Sequence, residues 1–585
     1  MTTPSGSNSP APGLSRAERL AALAVSLMLS VPFLLPVADL PIPSFYQEWL
    51  ATLLGVTAFV LLAAAGNRIE MPALCLLPLA LILIIVAHWL GGRLVFMQQG
   101  VLGVLYLAWA CLMATVGSRL RDRLGSEGFA ALVAWPLLLG ASASALLGVL
   151  QYADWTPANW VLPARDGRVQ GNLGQANHFA DYLSLGLISA IFLVSTGRLA
   201  RMTAAGAMLL ILVAVSFSGS RTVVLYFLFL MFGVCYLRWR NATPVFGRAT
   251  FWTAAAILVF VLVQLLGTFL PHIASGAAEP VAIRLIAGGD DHIRWRMWYS
   301  ALLIAVEHPW LGAGFQSFAW QHFLLAPELA PVSVYAAADN AHNVLLHLLA
   351  EFGFVAALLC IATAIAWLIA QTRAAVSPGK AWLWAAVGIL LLHSGLEYPL
   401  WYAYFLGLFC LLLGASWQRA WSLALARSGR VVTLGIAVGA TLVLSQYWVD
   451  YRDLKRLSKP ADAQRQENIA ELRSRIVSTY QQSLLSHMLL FALANGAAVD
   501  SDNLDAKIAL NSIALRILPT PETAYRQAMF LALSEHSSDA EKAWDQAVAA
   551  YPHRAEEMIR AIEADDRKRF SVLIEYARRK TGKTP

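Results

Sequence analysis

The stretch "DNAHNVLLHLLAEFGFVAAL" (339–358) joins two kinds of sequence. From Val344 it reads as the start of an apolar helix long enough to enter a membrane. Before it stand Asp339, Asn340, His342 and Asn343, and His347 and Glu351 lie inside it. A charged side chain at the bilayer centre costs about 2.5–3.5 kcal/mol on the insertion scale. Ionisable groups at the mouth of such a helix therefore need a reason.

The rest of the chain repeats the apolar part of that pattern. Of 585 residues, 58% are hydrophobic and 14% charged, against about 25% charged in a soluble domain. Runs of the length that crosses roughly 30 Å of hydrocarbon recur. Barrel strands alternate polarity over about 10 residues, and these runs do not. The fold class read from the sequence is all-α: a polytopic transmembrane helical protein of 12–13 spans, starting near 18, 46, 71, 101, 127, 177, 203, 222, 250, 344, 381, 401 and 431. The first run has no Ala-x-Ala-like ending and reads as an uncleaved span. The five cysteines (Cys75, Cys111, Cys235, Cys360 and Cys410) all fall inside apolar runs, so we expect buried free thiols and no disulfide framework.

Basic residues fall on alternate loops: Arg16 and Arg19; Arg68; Arg119, Arg121 and Arg123; Arg198 and Arg201; Arg238, Arg240 and Arg248; Arg373 and Lys380; Arg419, Arg427 and Arg430. The positive-inside rule puts these loops and the N-terminus in the cytoplasm. The same rule accounts for the net charge of +7 without invoking nucleic acid. The opposite loops, 39–45, 91–100, 152–176, 218–221, 271–343 and 397–400, are then external. An odd span count puts the segment after Trp448 outside too. The sequence thus divides into a disordered stretch, 1–17; a transmembrane domain, 18–448, with its long external loop 271–343; and a soluble helical domain, 449–585. Within the last, "ETAYRQAMFLALSEHSSDAEKAWDQAVAAYPH" (522–553) has two amphipathic helices and a closing Tyr-Pro. It reads as a tetratricopeptide-like unit or as part of a generic helical bundle.

Polar residues collect on the external loops. In "VQGNLGQANHFADYLSLG" (169–186) Gln175, Asn177 and His178 stand at a helix mouth, where amides either bind sugar or phosphate or cap the helix, Asn177 being the natural cap. Arg221, in the short hairpin "SFSGSRTVVLYF" (216–227), breaks the charge rule; it either snorkels or meets a phosphate. In "DDHIRWRMWYSALLIAVEHPWLGAGFQSF" (290–318) an amphipathic helix with Trp295, Trp298 and Tyr299 suits the membrane interface and holds Arg294 and Arg296 at headgroup depth. His347 and Glu351 share a helix face, but the His-Glu-x-x-His spacing of a zinc site is absent. His342 sits in a partly desolvated external position beside these arginines, where a neutral imidazole accepts a proton near pH 7. "HSGLEYPLWYAYF" (393–405) puts Glu397 and Tyr398 in a tight external turn.

Together these motifs resemble the bacterial O-antigen ligase and protein O-oligosaccharyltransferase superfamily. "RTVVL" (221–225) fits its Arg-x-x-x-Leu motif. "HNVLLHLLAEFG" (342–353) fits its His-Asn, nine residues, then Gly, although Ala356 departs from the Gly, Thr or Tyr expected three residues on. "RWRMWYSALLIAVEHPWLGAGFQSF" (294–318) resembles the segment before that histidine. "GNLGQANHFADYL" (171–183) and "EYPLWY" (397–402) resemble segments of the pilin-type protein glycosylation ligases, as does the helical tail.

The resemblance spans residues 100–420. It implies transfer of a preassembled oligosaccharide en bloc from undecaprenyl pyrophosphate to Ser or Thr hydroxyls of periplasmic proteins such as pilin. It implies a bacterial inner membrane location with a periplasmic site, and inversion at the anomeric carbon. His342 would be the general base. Arg221, Arg294 and Arg296, with Gln175, His178, Asn343 and Tyr398, would bind the pyrophosphate and glycan. Neither a metal nor a cofactor is expected, because the external loops carry no acidic cluster. Lipid A core as acceptor, O-antigen polymerisation and transport of lipid-linked sugars are the alternatives.

Overall fold

A backbone inside hydrocarbon must satisfy its own hydrogen bonds, so apolar runs become helices. A computed structural model describes residues 13–66, 68–155, 160–164, 168–269, 291–329, 338–372, 375–417, 419–424, 427–458, 469–566 and 568–580. The protein is all-α and polytopic. Among the described residues, nine helices are long and apolar enough to cross a membrane. Two of the expected spans follow one another within Met97–Tyr152 as two helices that meet at a kink at Gly125, whose φ is 66°. Three others are shorter helices: Arg201–Phe217, Pro378–Ser394 and Ala403–Ser416. Of the expected disordered stretch 1–17, residues 1–12 lie outside the described residues, as do 271–290 and 330–337 of the long loop, whereas the first helix already begins at Arg16, capped by Ser15.

Two features fix the helices that carry the site. Ala176–Ser195 is wholly buried among its neighbours, so its N-terminus has a defined position in the bundle. Met97–Tyr152 and Ala403–Ser416 meet backbone to backbone: a Cβ on Gly117 would fall 1.9 Å from the Leu411 carbonyl oxygen, and one on Gly414 1.9 Å from that of Ala114. Small residues at such crossings allow the close packing that substitutes for a hydrophobic drive in lipid.

The loops segregate into two sides. On the basic side Arg123 pairs with Glu18, Arg121 donates to the Trp417 carbonyl, and Arg68–Pro72 pairs antiparallel with Ala420–Ala424. On the other side Asn172 donates to Leu34, Arg93 to Gly312 and Asn343 to Gly395. The Asp291–Glu307 helix buries Met297, Ala301 and Ile304 and leaves Trp295, Tyr299 and Val306 exposed. Phe323 and Ala326, from the loop that follows it, enter the core of the C-terminal helices beside Tyr525 and Trp544. The expectation of buried cysteines holds for Cys75, Cys111 and Cys410; Cys360 is half-buried, and Cys235 is exposed on the outer face of its helix.

Candidate active site

Glu397, in the turn between Pro378–Ser394 and Ala403–Ser416, is only 1% exposed, and four side chains converge on its carboxylate. His342 Nδ1 lies 2.9 Å from Oε2. Asn177 Nδ2 donates to Oε1 at 2.7 Å, and Gln175 Nε2 approaches Oε2 at 3.4 Å. The Arg294 guanidinium forms an ion pair with Oε1. Burial alone would raise the Glu397 carboxyl. The hydrogen bond and charge of His342 and the charge of Arg294 outweigh it and hold the group at about 2. Glu397 is therefore ionised near neutrality and can only accept hydrogen bonds. Against that carboxylate His342 Nδ1 must carry a proton, so the neutral form of the ring is the Nδ1–H tautomer, with its lone pair at Nε2. The imidazole is about a quarter exposed. Its backbone sits in the left-handed region with φ 47°, an unfavourable conformation for a non-glycine residue and one that recurs at functional sites. The Asn340 side chain braces it by accepting the His342 N–H at 2.9 Å.

A second layer surrounds this cluster. Ser220 Oγ donates to Asn177 Oδ1 at 2.8 Å, and Arg168 donates to the same oxygen at 3.1 Å and to the Ser218 carbonyl at 2.9 Å. Arg221, next to Ser220, stands at the N-terminus of Thr222–Arg240. Tyr398 sets its ring edge-on to His342 at 5.0 Å; burial, with the negative charge of Asp339 beside it, pushes its hydroxyl up to about 12.

Several sequence expectations need correction in place or role. The cap of Ala176–Ser195 is Gln175, whose Oε1 accepts the His178 N–H at 2.6 Å; Asn177 is turned instead toward Glu397. His178 is 1% exposed, enclosed by His393, Tyr398, Tyr402 and Phe405, so it packs beneath the rim rather than on it. Asn343 caps Val344–Thr372 by accepting from the Leu345 and Leu346 N–H groups and donates to the Gly395 carbonyl. Arg296, two residues from Arg294, falls on the opposite face of its helix. It is 1% exposed and reaches the Ala326 carbonyl at 3.5 Å, away from Glu397. Sequence reasoning quoted Glu397 without giving it a role and passed over Arg168.

A mostly apolar cavity of about 590 Å³ lies among the apolar helices. Its lining includes Val344 and Leu345, two and three residues after His342, and Leu400 and Trp401, three and four residues after Glu397. From there it follows one face of Ala403–Ser416, along Ala403, Leu406, Cys410 and Leu413, to Trp417, a run of about 21 Å at 1.5 Å per residue. The arrangement combines an imidazole held by a buried carboxylate, guanidinium groups and an elongated, mostly apolar cavity. Among the described residues, no group of His, Cys, Asp and Glu has the geometry of a metal site.

Comparison with known proteins fits this geometry. Residues 205–361 match the family model described as O-Antigen ligase, 170–194 that of Protein glycosylation ligase, and 381–562 that of Virulence factor membrane-bound polymerase, C-terminal. All the residues that meet at Glu397 fall within these segments. The chain is 28% identical, over 73% of its own length and 75% of the other protein's, to a general O-oligosaccharyltransferase of Acinetobacter baylyi. The resemblance read from the sequence therefore stands, and the chain is a glycosyltransferase-type membrane enzyme related to the O-antigen ligases.

Proposed function

We propose that the protein transfers a preassembled oligosaccharide en bloc from undecaprenyl pyrophosphate to Ser or Thr hydroxyls of periplasmic proteins, pilin-like ones among them, at the outer face of the bacterial inner membrane. The observation that carries this reading is His342 held by Glu397, which also pairs with Arg294, in loops whose following helices line the apolar cavity. The acceptor oxygen attacks the anomeric carbon as its proton passes to His342 Nε2. The bond from that carbon to the phosphate oxygen breaks, and the lipid diphosphate leaves; in-line attack inverts the configuration. Glu397 fixes the tautomer and stabilises the imidazolium, as a carboxylate does in hydrolase triads. Arg294 and Arg221 offset charge growing on the diphosphate, and Arg168, tied to Asn177, adds a third cation nearby. Tyr398 and Gln175 border the space left for the first sugar.

The test is transfer from an undecaprenyl-pyrophosphate oligosaccharide to an acceptor peptide by the purified protein in detergent. His342→Ala should abolish turnover while the protein stays folded; turnover near the parent rate in that variant would remove the base. The match of residues 381–562 to a polymerase model favours a second reading, in which the acceptor is another lipid-linked glycan. Offered both acceptors, the enzyme should glycosylate the peptide; extension of the glycan alone would select the polymerase.

A further inference from the structure

The C-terminal helices reach the apolar cavity itself. The turn between Ile469–Gln482 and Ser486–Gly496 contributes Leu484, and the helix after it contributes His487, to the cavity wall beside Trp49, Val443, Leu444 and Tyr447. The turn is fastened to the membrane domain. Asp450 Oδ2 accepts the Leu484 N–H at 3.2 Å, and Leu485 and Leu489 pack in one buried cluster with Phe45, Tyr451 and Leu454. Phe45 and Tyr451 stack at 3.7 Å within it. His487 packs against Phe96 at 6.0 Å and has a buried Nδ1 without a hydrogen-bond partner. Without the turn this part of the cavity would lack the wall that Leu484 and His487 supply.

We propose that the turn at 483–487 is part of the donor site: Leu484 and His487 contact the polyprenyl chain of the lipid-linked donor where it enters the cavity. This rests on the reading of the donor given above. The occupant follows from the shape. The slot is lined by residues two to four positions after His342 and Glu397 in sequence, follows one face of Ala403–Ser416, and is almost wholly apolar; a diphosphate at Arg294 would lead a long hydrocarbon into it. A tail that only bound acceptor protein would have no reason to wall this cavity.

The full chain is assayed in detergent with donor and acceptor peptide varied separately. Leu484→Trp, which crowds the wall, and His487→Ala, which opens it, should each raise KM for the donor about tenfold, the scale set by losing the contact area of one buried apolar side chain. The acceptor KM should not move. Leu489→Ala, in the same cluster but off the cavity, should lower the melting temperature and leave both KM values alone. Unchanged donor KM in the folded variants, or a change confined to the acceptor, overturns the assignment. Binding is read without turnover by replacing Leu484 with a photoreactive phenylalanine analogue and adding polyprenyl diphosphate alone. Crosslinking supports the site even if glycan transfer fails, and its absence with transfer intact removes the site while leaving the proposed function standing.

Discussion

At the scale of single residues, reactivity here depends on who faces a buried carboxylate. A neutral isostere tests this directly. Glu397→Gln keeps the shape but can present an N–H to His342, which favours the wrong tautomer. We expect kcat to fall by about 10²-fold or more, within the range of general-base effects, with little change in donor KM; an unaltered kcat would mean that the imidazole is not oriented through this contact. Acidity gives a second readout. The carboxyl titrates at about 2 in the fold against an ordinary 4.5, so its contribution to stability, on the order of 3 kcal/mol, is complete above pH 4.5 and lost as pH falls toward 2. Melting temperatures from about pH 6 to about pH 2 should show that fall in the parent and a shallower one in Glu397→Gln. His342, Arg294 and Gln175 were legible because the loops that bear them are too polar for a membrane rim. The centrality of Glu397 was not: its partners lie 55, 103, 220 and 222 residues away in sequence, and no local pattern records such pairing.

At the scale of elements, the polar groups inside the histidine helix turn out to hold a turn rather than a substrate. Glu351 accepts the Gln316 and Phe318 N–H groups at 2.9 and 3.0 Å and lies 3.3 Å from His347. It thereby seats the "HPWLGAGFQSF" turn (308–318) against the helix. The helix breaks at Gly353, whose φ is 77°; a Cβ there would stand 2.4 Å from the Trp310 carbonyl oxygen. Glu351→Ala strands the buried Phe318 N–H at about 1–3 kcal/mol and releases the part-buried Gln316 N–H, and Gly353→Ala adds a forbidden φ to a clash. Both should sharply lower the melting temperature or the folded yield, read by tryptophan fluorescence and size exclusion; wild-type values would discard this account. The motif glycine at 353 was visible in the sequence, but its purpose was not, because the backbone that meets it comes from another segment. Helix positions were legible throughout, since runs of apolar residues declare themselves. The two spans expected near 101 and 127 are likewise two helices, which meet at a kink at Gly125.

At the scale of the whole molecule, the C-terminal helices are bound to the same side as the site. Gln546 Nε2 donates to the Phe323 carbonyl, Phe323 and Ala326 lie in the core that contains Trp544, and Lys455 pairs with Asp39. The other side is fixed by Arg123 with Glu18 and by the strand pair at Arg68–Pro72. A chain cannot pass through the bilayer to make these contacts, so tail and site share one compartment and the arginine-rich loops occupy the other. Single cysteines introduced in a variant lacking the native five test this. Ser538→Cys in the tail should react with a membrane-impermeant maleimide added to spheroplasts, while Arg201→Cys should react only after lysis. Labelling of both, or of Arg201→Cys alone, would refute the arrangement. The docking also has an energetic reading. Trp544 is fully buried, and Trp544→Ala removes about 3–5 kcal/mol of packing from a core shared with the loop between Arg294 and His342. If the tail braces that loop, the variant should lose transfer activity at temperatures where the membrane helices remain folded; full activity in a protein whose tail has become protease-sensitive would show that the loop stands without it.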